Sequence, residues 1–421
     1  MKILVFTNSL GLGGTEKAAC RWAWGLKERG HEVSVLTLAE GPRRTELEQH
    51  HVPLRVAEIS ADKIATMLRE IRPEVIHAHA PGHPHEGDVL GNALKLLPKI
   101  PVVQTNVFGH LYNPGEDAWT DFRLFISWIS GVQAARRVFR RLDEKFFQRA
   151  SVAVYPLDPL EPSPAETVRA FRKSLGVAED EVLFGRLGRP DIGKWSNLAV
   201  DAFRLALRHN RNIKLLLREP PPEIAAQLRA SPDAGHFIFL PATSDAEALR
   251  LTLSAFDVVL HTAINGESYG YGIAEPMNLG KPVVTHSVPW QDQAQLELVR
   301  HGECGFVAST PSAMAGALLQ MAGDASLRHR MGQAAQKHIR ILSDPGTSIQ
   351  RLEGALRAAV GKRDNPLAAE DLARARVTAD YLDAHQFGHT WKEKITVRPF
   401  YYRVRFHEFR RAIRLKLGAK S

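Results

Sequence analysis

The sequence has few cysteines and no long hydrophobic run. Cys20 and Cys304 are its two cysteines among 421 residues, which excludes a disulfide framework or a four-cysteine zinc site and suits a reducing compartment. No run of about 18 apolar residues occurs, so no transmembrane helix is predicted. The first residues, MKILVFTNSLGLGGTE, lack the longer apolar core and cleavage site of a signal peptide. We therefore expect a cytoplasmic protein.

Excess charge is also scarce outside one end of the chain. The formal net charge is +9, but residues 391–421 contain ten Lys or Arg and two Glu. The rest of the chain is therefore close to neutral, and general affinity for nucleic acid is not expected. No period of 20–50 residues repeats, which excludes a solenoid.

The chain opens with a strand, a glycine-rich loop, a helix and a second strand. The strands are predicted at Lys2–Thr7 and His31–Leu38, which makes this a βαβ unit. A dinucleotide fingerprint G-x-G-x-x-G would need a third glycine where Glu16 stands. A nicotinamide cofactor is therefore not predicted.

A proline-rich stretch divides two series of alternating strands and helices. Pro156–Pro164 holds four prolines in nine residues and reads as a stiff linker. The alternation predicts two doubly wound α/β domains. We assign residues 1–155 to the first, 156–181 to a linker and helix, and 182–360 to the second. Residues 361–421 are assigned to a C-terminal helix and a basic aromatic tail.

The stretch Ile264–Val284, INGESYGYGIAEPMNLGKPVV, has the pattern of a ligand site. It follows a predicted strand, Phe256–His261, and combines a glycine-rich loop, a short helix and another strand. Glycine allows close approach of a ligand, and the N–H groups at a helix start attract anions. Glu267 is predicted in the loop and Glu275 in the first turn of the helix. Both should face the crevice at the carboxyl ends of the strands.

Two cations flank another glycine-containing turn. Arg189 and Lys194 follow the predicted strand Val182–Leu187, and a helix comes after them. Fixed cations beside backbone N–H groups form a cradle for an anion. The alternative is a pair of solvated surface cations.

The glutamates belong to a pattern that resembles a family signature. The E-x7-E pair within ESYGYGIAEPMNLGKPVV is similar to the E-G-F-G-L…E-A-M-A…G-x-P-V-V signature of glycosyltransferase family 4. The opening of the chain also resembles that family, through Gly13, Gly14, Glu16, Gly30, His31, Val33, Val35 and Thr37. The resemblance extends over roughly residues 1–360.

The resemblance implies the GT-B fold, in which two Rossmann-like domains face a central cleft and the end of the chain returns to pack on the first domain. It implies a retaining transferase that moves a hexose from a nucleotide diphosphate sugar to a cell-envelope glycan or lipid-linked acceptor, as in polysaccharide or lipopolysaccharide synthesis. The co-substrate is expected to be UDP- or GDP-linked, with no further cofactor. No D-x-D occurs, and protein cations would take the place of a metal.

The resemblance also assigns roles to residues of this chain. Glu275 would bind the ribose hydroxyls and Glu267 the donor sugar. The two cations after the strand would neutralise charge growing on the diphosphate. Further donor contacts are expected at Gly13, Gly14, Gly270, Tyr271, Gly272 and Ile273.

The sequence departs from the family after the fourth strand, Pro101–Thr105, where a histidine is usual. Asn106 stands there, and a histidine comes later, at His110. Asn106 could bind a sugar hydroxyl in its place, or His110 could reach in from one turn later. The alternative is that His110 is an ordinary loop residue.

Four histidines, His77, His79, His83 and His85, occur within nine residues. Alternate histidines on a strand share a face, which is compatible with a metal site. The alternative is two histidines at a strand end and two in a loop. The family resemblance favours no metal here.

Two basic segments offer contacts with an anionic membrane. Val132–Arg149 is predicted as one basic amphipathic helix, and Trp391–Ser421 mixes cations with aromatic residues. A solvated face is the default explanation of the helix, and a phosphate-bearing lipid acceptor is another alternative there. The tail is also explained as a solvated segment or as a nucleic-acid arm. We expect no nucleic acid partner and a peripheral position on the inner face of the membrane.

Two other functions are compatible with these residues. A non-catalytic nucleotide-sugar-binding or scaffold protein would explain the missing histidine after the fourth strand. A glycoside hydrolase would use two carboxyl groups facing each other across a bond. Glu267 and Glu275, on either side of a glycine-rich turn, suit different parts of one ligand better.

Overall fold

The computed structural model describes residues 1–80, 88–109, 119–399 and 401–403. The chain forms two compact units. The first contains Met1–Asp158 and Leu342–Asp380, and the second contains Pro159–Ile341 and the residues from Tyr381 onward. Within the described ranges, no helix combines the length and the apolarity that crossing a membrane requires.

The first unit is built on a parallel sheet. Its order is β3-β2-β1-β4-β5-β6-β7, from β1 (Lys2–Thr7), β2 (Glu32–Thr37), β3 (Leu54–Val56), β4 (Val75–Ala80), β5 (Val102–Asn106), β6 (Phe122–Phe125) and β7 (Ala150–Val152). The helices of this stretch are α1 (Gly14–Glu28), α2 (Arg44–Gln49), α3 (Ala61–Ile71), α4 (Val89–Leu94), α5 (Trp128–Phe139) and α6 (Glu144–Gln148). The short apolar strands fit a parallel sheet because both of its faces are covered.

The second unit repeats this architecture. Its main sheet has the order β10-β9-β8-β11-β13-β15, and β12 pairs with β14 in a separate parallel ribbon. The elements are α7 (Ala165–Ser174), β8 (Val182–Leu187), α8 (Asn197–Leu207), β9 (Ile213–Arg218), α9 (Pro222–Arg229), β10 (Phe237–Leu240), α10 (Ala246–Ala255), β11 (Val258–Leu260), β12 (Gly266–Glu267), α11 (Tyr271–Asn278), β13 (Val283–Thr285), β14 (Asp292–Gln293), α12 (Ala294–Leu298), β15 (Gly305–Val307), α13 (Pro311–Gly323) and α14 (Ala325–Leu342).

The chain then returns to the first unit. It adds α15 (Pro345–Gly361) and α16 (Ala368–His385), and α15 packs against β4, β5, β6, β7 and α1. Trp22 anchors this return, because its indole N–H donates to the Ser348 hydroxyl at 2.9 Å. This return begins at Leu342, whereas the sequence assignment extended the second domain to residue 360. Residues 391–399 and 401–403 are helical and belong to the second unit.

The basic segment 132–149 is not the single helix that its periodicity predicts. α5 ends at Phe139, and Arg140 adopts a left-handed conformation with φ of 58°. The Asp143 carboxylate then accepts a hydrogen bond from the Lys145 N–H at 3.0 Å and starts α6. The break lets Phe146 and Phe147 turn into the core, so the cations do not form one continuous helical face.

A buried carboxylate fixes the returning helices. Asp371 in α16 is 0% exposed. It pairs with Arg351 of α15 at 2.7 Å and accepts from the Ser151 hydroxyl at 2.6 Å and the Asn365 amide at 2.8 Å. These bonds offset the cost of burying the charge.

We predict that Asp371→Ala lowers the free energy of unfolding by about 3–5 kcal/mol, because it leaves Arg351 buried without this partner. Glu370→Ala is the matched control. Glu370 also pairs with Arg351, but its side chain is 63% exposed, so its loss should cost at most about 1 kcal/mol. Urea unfolding of both variants measures the difference, and equal losses would contradict the prediction.

Candidate functional site

The strand order of the second unit reverses between β8 and β11, which makes this position the topological switch point of the sheet. The chain proceeds from β8 to β9 on one side, and from β11 to β13 on the other. In open parallel sheets, ligands bind outside the carboxyl ends of the strands at such a reversal. The loops after β8 and β11 carry the predicted cations and glutamates.

The turn after β8 is closed by hydrogen bonds of its own. The Trp195 indole N–H donates to the carbonyl of Arg189 at 2.7 Å, and the Gly193 N–H donates to the Asp191 carboxylate at 2.8 Å. Gly193 lets the Asn265 side chain pack closely, because a Cβ at this position would lie 2.4 Å from the Asn265 amide nitrogen and displace it. The Arg189 side chain is exposed and that of Lys194 is half-buried.

Lys194 and Glu267 form an ion pair across the switch point. The Lys194 Nζ donates to Glu267 Oε2 at 2.8 Å. Glu267 is 8% exposed, and its second carboxylate oxygen lies 3.1 Å from His261 Nε2. Its backbone N–H donates to Gln295 Oε1 at 3.0 Å. Both carboxylate oxygens of Glu267 and its backbone N–H are therefore engaged.

These contacts decide the charge of Glu267. Burial opposes its ionisation, but Lys194 and His261 outweigh this and lower the pKa to about 2. Burial lowers the pKa of His261, against the opposing effect of Glu267. At neutral pH a neutral His261 therefore donates its Nε2–H to an anionic Glu267.

Arg186 joins the loops that follow β8 and β11 through hydrogen bonds, and the sequence analysis did not identify it. It lies in β8, is 1% exposed, and donates to the carbonyls of Lys194 and Thr262. Its guanidinium stacks 4.5 Å from the centre of the Trp195 ring. Burial lowers its pKa to about 10, against the effect of Glu267, so it stays charged. The available signal was an arginine inside the apolar run VLFGRL.

The helix after Glu267 places Glu275 beyond its first turn. Gly270 precedes it with φ of 103°, and α11 begins at Tyr271. Glu275 is therefore the fifth residue of α11, which corrects its predicted place in the first turn. It is half-buried, and so are Tyr271 and Gly272. Gly272 brings this end of α11 beside the strands, since its Cβ position lies 3.9 Å from the Leu187 carbonyl and 4.0 Å from His261.

The N–H groups of α11 are partly used within the helix. Those of Ile273 and Ala274 both donate to the Gly270 carbonyl, at 2.9 and 3.0 Å, and the Ile273 side chain is buried. Ile273 is thereby a packing residue in this structure, and a donor contact through its N–H would require exchange of this bond.

The first unit holds the remaining predicted residues. Gly13 caps α1 and Gly14 is its first residue, so both lie after the carboxyl end of β1. Asn106 ends β5, is 1% exposed, and its Oδ1 has no hydrogen-bond partner among the residues described. His110 lies outside the described residues.

The histidines of β4 lie in an aromatic cluster. The His77 and His79 rings lie 5.3 and 5.1 Å from Trp22, and His77 Nε2 is 2.7 Å from the Thr105 hydroxyl. Burial lowers the pKa of both, that of His79 to about 3. His83 and His85 lie outside the described residues. In the described ranges, no group of three His, Cys, Asp or Glu side chains is placed to hold a metal ion.

Family models match both units of the chain. Residues 13–161 match the glycosyl transferase 4-like domain, and residues 168–338 match glycosyl transferases group 1. The chain belongs to the glycosyltransferases, with a family 4-like first domain and a group 1 second domain. A search of curated protein sequences finds no match. The two parallel-sheet α/β domains have the architecture of GT-B glycosyltransferases, which confirms the predicted fold class.

Solved structures share this fold at low sequence identity. HepE of Anabaena, in complex with UDP-glucose, is 22% identical with a TM-score of 0.70, covering 85% of this chain and 100% of HepE. A glycosyltransferase of Rickettsia africae is 15% identical with a TM-score of 0.68, covering 85% and 99%. The lipopolysaccharide outer core galactosyltransferase WaaB is 13% identical with a TM-score of 0.62, also covering 85% and 99%.

We predict that Glu267 stabilises the protein in a pH-dependent way. Its pKa falls from an ordinary 4.5 to about 2 on folding, which corresponds to a contribution on the order of 3 kcal/mol. Because the folded pKa is depressed, this contribution is complete above about pH 4.5 and declines as the pH falls towards 2. Thermal unfolding of wild type and Glu267→Gln at pH 7, 5 and 3.5 measures it.

The gap in Tm between these two proteins should be equal at pH 7 and 5 and smaller at pH 3.5. Glu181→Gln is a suitable control in the same unit, because Glu181 pairs with Lys214 at 3.4 Å outside the switch point. A Glu267→Gln gap that is constant or grows in acid would show that the carboxylate is not stabilised as an anion.

Proposed function

We propose that this glycosyltransferase moves a hexose, with retention, from a nucleotide diphosphate sugar to a cell-envelope glycan or lipid-linked acceptor. The observation that carries the proposal is the Lys194–Glu267 ion pair at the switch point of the second unit. It joins a cation suited to a phosphate with a carboxylate suited to sugar hydroxyls. The solved complex of HepE with UDP-glucose makes UDP-sugars the first donors to test, followed by GDP-sugars.

Lys194 and Arg189 are proposed to bind the diphosphate. As the glycosidic bond breaks, negative charge develops on the departing phosphate, and fixed cations stabilise that transition state. Lys194 is fixed by Glu267, whereas the Arg189 side chain is exposed and can close on the ligand. These two cations support a reaction without a divalent metal.

Glu267 is proposed to orient the donor sugar. A carboxylate with a pKa of about 2 accepts hydrogen bonds from hydroxyls and is a poor proton donor at neutral pH. The same anion stabilises positive charge that develops on the sugar ring. A glycoside hydrolase needs, besides an ionised carboxylate, an acid of raised pKa across the scissile bond, and Glu267 with its lowered pKa does not fit that acid role.

Glu275 is proposed to accept hydrogen bonds from the ribose hydroxyls, a geometry in which one carboxylate fixes a diol. In the first unit, Gly13 and Gly14 are proposed to let the donor or acceptor approach the backbone. Asn106 is proposed to bind a sugar hydroxyl through its buried Oδ1, which has no partner in the described part of the chain. His110 stays an alternative for that role.

A non-catalytic protein that binds nucleotide sugars stays the second candidate. It is favoured by the asparagine that stands where the family usually has a histidine. Binding alone does not separate the two functions, because both require the same donor contacts. Product formation does, and the anomeric configuration of that product, read by NMR, tests retention.

We predict that a matching UDP- or GDP-sugar stabilises the wild type by about 2.7 kcal/mol at 100 times its Kd, with or without EDTA.

Lys194→Gln should lower kcat/KM about 100-fold or more, because it removes a cation that acts on the leaving group. Glu275→Gln should mainly raise KM. Thermal unfolding and a transfer assay measure these effects.

Lys214→Gln is the matched control for Lys194→Gln. Lys214 lies in the same unit and also pairs with a carboxylate, Glu181 at 3.4 Å, but it belongs to β9 away from the switch point. Its loss should leave transfer unchanged. Equal effects of the two variants, or no response to any donor, would refute the assigned site. Donor binding without product would favour the scaffold function.

A further inference from the structure

The segment after α16 is anchored on the second unit through a buried glutamate. Glu393 is 1% exposed. Its carboxylate accepts hydrogen bonds from the N–H groups of Ser309, His389 and Thr390, at 2.6, 3.1 and 3.1 Å. The Thr390 hydroxyl accepts in turn from the Glu393 N–H at 3.1 Å. This reciprocal pair is a capping box, and it fixes the start of the helix at residues 391–399.

The opposite face of this helix is apolar and exposed. Trp391 is 67% exposed, Ile395 62% and Tyr402 55%, whereas Val397 is buried. Spacings of four and seven residues place the three exposed side chains on one side of a helix. We call Trp391, Ile395 and Tyr402 the apolar stripe.

Cations border the apolar stripe. Lys392, Lys394, Arg398 and Arg403 are exposed; the Lys392 ammonium lies 5.8 Å from the centre of the Trp391 ring, and the Arg398 guanidinium 6.0 Å from that of Tyr402. The one acidic residue of this helical segment, Glu393, is buried and engaged in the cap. The sequence from 404 to 421 adds six Lys or Arg and one Glu.

We propose that this face docks the protein on an anionic lipid bilayer. Trp391, Ile395 and Tyr402 would enter the boundary between headgroups and acyl chains, and the bordering cations would lie among anionic headgroups. Ile395 favours lipid over nucleic acid, because an aliphatic side chain between two aromatic ones offers neither base stacking nor a phosphate contact. The proposal goes beyond donor chemistry and does not depend on the assignment of the donor site.

Flotation of the full chain with lipid vesicles tests this proposal. Vesicles of phosphatidylcholine alone are compared with vesicles that also contain phosphatidylglycerol, in about a two-to-one ratio. We expect binding to the anionic vesicles only, and its loss in about 1 M salt, where the Debye length is near 3 Å. Trp391→Ser combined with Ile395→Ser should lower the partition coefficient about tenfold or more. Lys392→Gln combined with Lys394→Gln should lower it for anionic vesicles.

The control removes two equally exposed apolar side chains from the first unit. Ile59→Ser combined with Val377→Ser, at 77% and 71% exposure, should leave vesicle binding unchanged. All the substituted residues are exposed, so an unchanged Tm confirms that each variant folds. The proposal is overturned if the Trp391→Ser and Ile395→Ser double variant floats with the vesicles as the wild type does. It is also overturned if the wild type binds neutral and anionic vesicles equally. Binding of a single-stranded oligonucleotide that competes with the vesicles and depends on the same residues would overturn it too.

Discussion

Burial of one carboxylate at the point where the strand order reverses shapes the centre of the second unit. Burial alone would favour the neutral form of Glu267, yet the pKa of its carboxyl group is lowered to about 2. Lys194 and His261 supply the compensation, one through its charge and the other through a hydrogen bond. Arg186 then fixes the loop that carries Lys194. The two loops that follow β8 and β11 are thus tied to each other by these contacts.

The sequence predicts the architecture well because its signals are local. Short apolar strands alternate with amphipathic helices, and glycine, proline and capping residues mark the ends, so two doubly wound domains follow. Segments whose ends depend on distant contacts were predicted less well. The helix over residues 132–149 breaks because Phe146 and Phe147 pack into the core, and periodicity alone does not reveal this.

For the candidate site, the sequence predicted a set of residues but not most of the contacts among them. Spacing and family resemblance identified Glu267, Glu275, Arg189 and Lys194. Neither indicated that Lys194 would pair with Glu267, because the two residues are 73 positions apart in the sequence. They are brought together by the order of the strands in the sheet. His261 was assigned to the end of a strand and no more. Contacts between distant loops depend on the order of the strands in the sheet, and the spacing of residues in one sequence does not reveal that order.

The interleaved path of the chain has a consequence for its synthesis. The first unit lacks α15 and α16 until Pro159–Ile341 has been synthesised, and the second unit lacks the helical segment 391–399 until the first unit is complete. During this time the face of the first sheet that α15 covers is open, including the surroundings of Trp22. The nascent chain therefore exposes this apolar surface for as long as residues 159–341 take to be synthesised, and transiently exposed hydrophobic surface of this kind favours aggregation.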